Sequence, residues 1–194
     1  MSLAARLRTA LVEGHGRTLP MENDPRVATS ALLSPAAVLV AITDRPEPGL
    51  ILTMRASSLR KHAGQIAFPG GSIDPGDASP EAAALRESFE EIGLEAGFVE
   101  PLGRLPHYST STGFRITPVL ALVRPGFTLT PNPEEVADVF EVPLDFLMDA
   151  ANHFSESRVW QGRERHYYVM PFGDRRIWGV TAGIIRTLYE RLYA

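Results

Sequence analysis

The strongest constraint on this chain is a helix, predicted to begin at Pro80, that carries three glutamates on one side. Ser79 and Pro80 are favourable at the N-cap and first helical position, and Gly93 is a favourable residue to end the helix. At about 100° per residue, one arc of about 100° holds Glu87, Glu90 and Glu91. Almost opposite, on an arc of roughly 80°, we expect an apolar stripe made of Ala82, Leu85, Phe89 and Ile92.

Three carboxylates on one helix face repel one another, and a solvated acidic surface is the simplest explanation of the glutamates alone. Hard cations such as Mg²⁺ and Mn²⁺ prefer several oxygen ligands and would remove that repulsion. A metal site is favoured here for two reasons. Arg86 lies one turn before Glu90, where it can orient that side chain. Gly70 and Gly71 form an upstream turn whose backbone can approach a ligand closely.

The composition limits the remaining possibilities. The 194 residues predict a single domain, 1–194, that begins with an amphipathic helix at about 2–13. The chain has no cysteine, which excludes disulfides, cysteine-ligated metals and a cysteine nucleophile. A net charge of -4 argues against a broad basic face for nucleic acid. Apolar runs fall well short of the roughly 20 residues that cross a bilayer, so we expect a cytoplasmic protein with a small-molecule partner and no membrane partner.

Apolar runs between turn residues predict strands and helices in irregular alternation. The expected strands are 36–42, 50–54, 98–105 and 114–123, with a hairpin of 159–161 and 166–170. Besides the glutamate helix, helices are expected at 144–150 and 177–193. This order favours an α+β protein or a compact sandwich over a parallel sheet of the dinucleotide-binding kind.

The segment from Gly71 to Leu94 resembles the Nudix box, G-x5-E-x7-R-E-U-x-E-E-x-G-U, where U is aliphatic. The matching residues are Gly71, Arg86, Glu87, Glu90, Glu91, Gly93 and Leu94. Asp77 stands where glutamate is usual, and eight residues instead of seven separate it from Arg86. This extra residue falls before the helix, so it puts only the role of Asp77 in question. Ser88 occupies an aliphatic position, which suits a site with a tightly packed neighbour.

The residues before the box resemble a second signature, L-L-T-x-R-S-x3-R-x3-G-x3-F-P-G-G, found in Nudix enzymes that act on coenzyme A. From the second leucine onward, residues 52–71 match its fixed positions except the serine, where Ala56 stands. The resemblance implies substrate binding by Arg55, Arg60, Lys61, Gly70 and Gly71. Arginine can engage a phosphate through two hydrogen bonds, which suits a substrate with a pyrophosphate and a separate 3′-phosphate. A solvated basic loop is the alternative.

The resemblance implies a Nudix fold, which is an α/β/α sandwich around a mixed β-sheet. It also implies a pyrophosphohydrolase whose Mg²⁺ or Mn²⁺ is held by Glu87, Glu90 and Glu91. The implied catalytic residues are Arg86, Glu87 and Glu135. Similar enzymes carry a glutamate near position 135 that reaches the metal, and either Glu87 or Glu135 would be the general base. The implied products of coenzyme A hydrolysis are 3′-phosphoadenosine 5′-phosphate and 4′-phosphopantetheine.

Two alternatives stay open on the sequence. The same fold could act on ADP-ribose, NADH or a dinucleoside polyphosphate, because the box does not distinguish these substrates. The chain could also be a non-catalytic module that senses a nucleotide. Such modules often lose box carboxylates, so the presence of all three glutamates favours an enzyme.

Overall fold

The computed structural model describes residues 2–13, 33–58, 62–110, 112–160 and 162–193. The helices are α1 (Leu3–Glu13), α2 (Pro80–Ile92), α3 (Leu144–Leu147) and α4 (Gly179–Tyr193). The first strands are β1 (Ser34–Thr43), β2 (Gly49–Arg55), β3 (Ile66–Ala67), β4 (Gly70–Ser72), β5 (Val99–Arg104) and β6 (Tyr108–Ser109). The later strands are β7 (Phe114–Val123), β8 (Val136–Pro143), β9 (Phe154–Trp160), β10 (Arg163–Phe172) and β11 (Arg175–Trp178).

Eight strands form one mixed sheet with the main order β3-β2-β1-β7-β5. Strands β1 and β7 run parallel, in register from Ser34 opposite Phe114 to Thr43 opposite Val123. The other pairings are antiparallel, and β8 adds to β2, β4 to β1 and β6 to β7. Strand β1 is central because its apolar side chains can be buried on both faces of the sheet.

Helices cover both faces of this sheet. On one face, Val40 of β1 belongs to a core cluster with Leu7 of α1 and Ile185 of α4. On the other, Leu39 belongs to a second cluster with Ala84 of α2. The predicted α/β/α sandwich around a mixed sheet is therefore confirmed. Among the described helices, none is long and apolar enough to cross a membrane.

The helix α2 begins and ends as predicted, but the face through which it packs is shifted from the predicted one. Ser79 accepts a hydrogen bond from the Ala82 backbone N–H at 3.2 Å, and Gly93 ends the helix with a φ of 67°. The expected apolar stripe is right for Ile92, which is fully buried, and for Leu85, which packs against the core, but wrong for Phe89, which is 57% exposed. The buried residues are Ala83, Ala84, Ser88, Glu91 and Ile92. Their small side chains let the helix lie close to the sheet, and a glutamate faces inward.

Ser88 shows how tight this packing is. Its side chain is fully buried, and its hydroxyl donates to the Ala84 carbonyl at 2.6 Å. The expectation that position 88 has a close neighbour is confirmed. A hydroxyl is tolerated there because the preceding helical turn satisfies it.

A second, three-stranded antiparallel sheet has the order β11-β10-β9. Its strands are longer than the predicted hairpin, since β9 begins at Phe154 and β10 ends at Phe172. The predicted start of the last helix is wrong, because Ile177 and Trp178 belong to β11 and pair with β10. Ile177 is fully buried, so tertiary contacts decided its conformation. The predicted helix from 144 to 150 ends earlier, at Leu147.

Candidate active site

The strand β4 brings two glycines under the helix α2. Gly70 has a φ of 151°, and a Cβ atom there would lie 2.4 Å from the Ala37 carbonyl oxygen. At Gly71 a Cβ would lie 2.5 Å from the carboxyl carbon of Glu87. Contacts this short do not occur between real atoms. Glycine at position 70 therefore allows β4 to lie close to β1, and glycine at position 71 allows β4 to approach the Glu87 carboxylate of the helix.

Arg86 joins the acidic residues of the site. Its Nη1 donates to Glu87 at 2.9 Å and to Glu90 at 3.2 Å. Its Nε and Nη2 donate to the two carboxylate oxygens of Asp77 at 3.1 and 2.9 Å. Its Nη2 also donates to the Ser72 carbonyl at 3.1 Å. A guanidinium with this many acceptors is held firmly and can orient the glutamates around it.

Asp77 is the site residue that the sequence left in question. Its side chain is only 7% exposed, and it forms a bidentate pair with Arg86. The hydrogen bonds from Arg86, and one from the Asp74 backbone N–H, lower the pKa of Asp77. The extra residue in the preceding loop therefore does not remove the contact. The position of Asp77 within the box was the signal that could have identified it.

Glu91 is buried beside the glycine turn. It is 4% exposed and accepts a hydrogen bond from the Gly70 backbone N–H at 3.0 Å. Its other oxygen lies 3.9 Å from Nη1 of Arg55, at the end of β2. Burial raises the pKa of Glu91 to about 7, although Gly70 and Arg55 act against that rise. Burial also raises the pKa of Glu87. Both carboxylates are thus held in a setting that lacks sufficient positive charge.

The donor set fits a hard divalent cation. Glu87, Glu90 and Glu91 supply carboxylate oxygens from one helix, and such oxygens suit Mg²⁺ or Mn²⁺. In the side-chain conformations described, Glu87 and Glu90 face Arg86, while Glu91 faces Gly70. Within the described part of the chain, no three His, Cys, Asp or Glu side chains are grouped as a metal cluster.

Glu135 lies at the border of this site. The Ala56 backbone N–H donates to its carbonyl at 2.9 Å, which holds the loop before β8 against the end of β2. The charge of Glu135 contributes to the raised pKa of both Glu87 and Glu91. The Glu135 side chain is exposed. The fold therefore brings Glu135 and Arg55, which are far apart in sequence, to the box glutamates.

Two of the predicted substrate-binding residues, Arg60 and Lys61, lie outside the described residues. His62, which follows them, has a φ of 58°, and its Nδ1 lies 2.9 Å from Oε1 of Gln65. Arg55 is described, and its Nε is buried without a hydrogen-bond partner among the described residues.

Comparison with known proteins agrees with this fold. Residues 33–161 match the NUDIX domain family. The match extends over more than half of the chain, so the chain belongs to the Nudix family and its sandwich is the Nudix fold. Membership of the Nudix family supports a pyrophosphohydrolase activity for this chain. Nudix hydrolases generally use divalent metal ions.

The similar proteins include Nudix hydrolases that share the name NudL. The uncharacterized Nudix hydrolase NudL of Cronobacter sakazakii is 44% identical over 173 residues, covering 84% of this chain and 86% of the relative. NudL of an Enterobacter species is 45% identical over 161 residues, covering 79% and 80% of the two chains. A crystal structure of a Deinococcus radiodurans protein superposes with a TM-score of 0.53 at 17% identity, covering 86% of this chain and 89% of that chain. This last likeness shows the fold alone.

Proposed function

We propose that this Nudix hydrolase cleaves the pyrophosphate of coenzyme A or its thioesters. Water attacks one phosphorus and the bridging P–O bond breaks. This gives 3′-phosphoadenosine 5′-phosphate and 4′-phosphopantetheine, or its acyl form. The observation that carries the proposal is the contact between the two sequence signatures. Arg55, from the signature typical of coenzyme A enzymes, lies 3.9 Å from Glu91 of the Nudix box.

Arg55 is suited to receive a phosphate. Its Nη1 faces a buried carboxylate, while its buried Nε has no hydrogen-bond partner among the described residues. A buried donor without a partner costs free energy that an incoming phosphate oxygen would recover. A guanidinium also matches the geometry of two phosphate oxygens. We therefore assign Arg55 to the pyrophosphate of the substrate, with Gly70 and Gly71 beside it.

The metal ligands in this proposal are Glu87, Glu90 and Glu91. When bound, Mg²⁺ or Mn²⁺ would neutralise the pyrophosphate and lower the pKa of the attacking water. Arg86 would keep Glu87 and Glu90 in place through its hydrogen bonds to both. Asp77 fixes Arg86 in turn, because it occupies two of the guanidinium donors.

A carboxylate of this site accepts the proton of the attacking water. Glu87 and Glu135 are the two candidates. Burial raises the pKa of Glu87, which makes its carboxylate a stronger base. Glu135 is exposed and borders the site, so water can reach it. Separate Glu87→Gln and Glu135→Gln variants identify the base, because only its loss removes the acidic limb of the pH profile, on which the rate rises as the base is deprotonated.

The test is chromatography of the products from coenzyme A incubated with the protein. One reaction contains Mg²⁺ or Mn²⁺ and a second contains EDTA. We expect 3′-phosphoadenosine 5′-phosphate only in the presence of metal. Glu90→Gln should nearly abolish turnover while the circular dichroism spectrum stays that of the wild type. Full activity in this variant would contradict the metal assignment.

Arg55→Gln tests the substrate assignment. The matched control is Arg45→Gln, because Arg45 lies beyond the opposite end of β2 and pairs with Glu141. We expect the Arg55 variant to lose about tenfold or more in kcat/KM and the control to keep wild-type values. Equal losses of kcat/KM in the two variants would contradict the assignment of Arg55 to the substrate.

If coenzyme A stays intact while ADP-ribose, NADH or a dinucleoside polyphosphate is hydrolysed, the hydrolysed compound is the substrate instead. Tight binding without turnover of any of these would indicate a sensor.

A further inference from the structure

The strand β9 has one edge without a partner among the described residues. The order of the second sheet, β11-β10-β9, leaves β9 at its border. Phe154 and Val159 on this strand are 51% and 69% exposed. The strand contains no proline or lysine, which are residues that commonly prevent edge pairing. We propose that β9 pairs antiparallel with β9 of a second copy of this chain.

The hairpin fixes which backbone groups of β9 point outward. Trp160 pairs with Arg163 across a two-residue connection, and Gly162 there has a φ of 74°. In such a hairpin the closing pair exchanges both backbone hydrogen bonds. Bonding then alternates along the strand, so positions 154, 156 and 158 also bond to β10. The N–H and C=O groups of Ser155, Ser157 and Val159 therefore point away from the sheet.

When a two-fold axis passes through Ser157, all of these outward N–H and C=O groups form hydrogen bonds with the second copy. Ser157 then faces Ser157 of the second copy, and Ser155 faces Val159 of the second copy. These are the hydrogen-bonded pairs of an antiparallel ladder, so each outward N–H meets an outward C=O. The result is a continuous six-stranded sheet across two chains. An isologous pairing of this kind is closed and does not propagate into a fibre.

The side chains match in the same register. Glu156 faces Arg158 of the second copy, and the symmetry repeats that pair. Directly opposite residues of unlike charge stabilise a sheet, whereas like charges destabilise it. Glu156 is already held on this face by Arg176 and by the Tyr167 hydroxyl at 3.2 Å. This self-complementary order of charges favours a second copy over an unrelated strand.

The first test is the mass of the wild-type protein by sedimentation equilibrium over a range of concentrations. We expect a concentration-dependent rise from 21.2 kDa toward twice that mass. Ser157→Pro should hold the protein at the mass of one chain, because proline removes the central donor while an edge strand tolerates it. Ser157→Thr is the matched control and should keep the dimer. A wild-type protein that remains monomeric throughout, or a dimer that survives Ser157→Pro, would overturn the proposal.

The absence of cysteine allows a test of the register itself. Ser157→Cys places two thiols on the axis, where the Cα atoms of a hydrogen-bonded pair are about 5.5 Å apart and within disulfide range. His166→Cys is the control, because His166 pairs with Ser157 one strand further in. Its two copies would be separated by three strand spacings, or roughly 14 Å. Oxidation should cross-link only the Ser157 variant, and equal cross-linking of both would refute the register.

Reversal of the charges gives an independent test. Arg158→Glu should weaken the dimer by about tenfold, because it creates two pairs of like charge. Adding Glu156→Arg to that variant restores unlike pairs and should restore the dimer. Failure of this rescue would show that the charged pair is not formed. These measurements do not depend on the substrate, so their outcome is separate from that of the proposed activity.

Discussion

Replacement of Glu91 by glutamine is expected to stabilise the metal-free protein while it removes the activity. Glu91 is 4% exposed, and burial raises its pKa from an ordinary value of 4.5 to about 7. The folded protein therefore retains a proton that the unfolded chain releases between these two pH values. Stability falls with rising pH over that range, since the folded state binds more protons than the unfolded state. The loss is complete above about pH 7.

The size of this effect follows from the two pKa values. The interval from 4.5 to about 7 corresponds to roughly 3 kcal/mol of unfolding free energy. Glutamine carries no charge and can still accept the hydrogen bond from Gly70. At pH 8 the variant should exceed the wild type by up to about 3 kcal/mol. Well below pH 4.5 the two proteins should be about equally stable, because Glu91 is then protonated in both states.

The measurement is urea unfolding of both proteins in EDTA at several pH values between these limits. Glu90→Gln is the matched control, because its carboxylate is 52% exposed on the same helix. Added Mg²⁺ should stabilise the wild type more than the Glu91 variant. A variant that is less stable than the wild type at pH 8, or a difference that does not vary with pH, would refute the reasoning.

Three further predictions concern the same helix and turn. Asp77→Asn should lower kcat/KM by roughly 10- to 100-fold, because the box arginine loses its bidentate partner, while Asp77→Glu keeps most activity in the same assay. Gly71→Ala should reduce turnover by about tenfold or more with an unchanged circular dichroism spectrum, since the new methyl group displaces the Glu87 carboxylate. Phe89→Gln should change the unfolding free energy by no more than about 0.5 kcal/mol. Ala84→Leu should cost about 1–3 kcal/mol in the same urea experiment, because position 84 is fully buried. The opposite ranking of these last two variants would mean that α2 packs through the stripe expected from the sequence.

The periodicity of α2 illustrates why sequence reasoning succeeded for the helix and failed for its packing. Local residues at each end, Ser79 and Gly93, are sufficient to begin and end a helix, and both did so. The buried face depends on what lies beneath it. The helix is close to the sheet, so small residues are buried and Phe89 is exposed. The hydrophobicity of the residues in the sequence does not predict how close the helix lies to the sheet.

The last helix gives a second example. The apolar residues Ile177 and Trp178 continue smoothly into the helical pattern that follows, so the sequence assigned them to the helix. In the structure they pair with Val169 and Met170 of β10 instead. Short apolar segments fit a strand or a helix equally well, and non-local hydrogen bonds decide between them.

The sequence by itself determined the family and the glutamate helix. These features depend on residues close together in the chain, where spacing fixes which side chains share a helix face. Only the tertiary structure decided that Glu91 is buried against Gly70, that Asp77 holds Arg86, and that Arg55 and Glu135 border the same site. Each of these depends on strands and loops that are distant in sequence and meet because the two faces of one sheet must be covered.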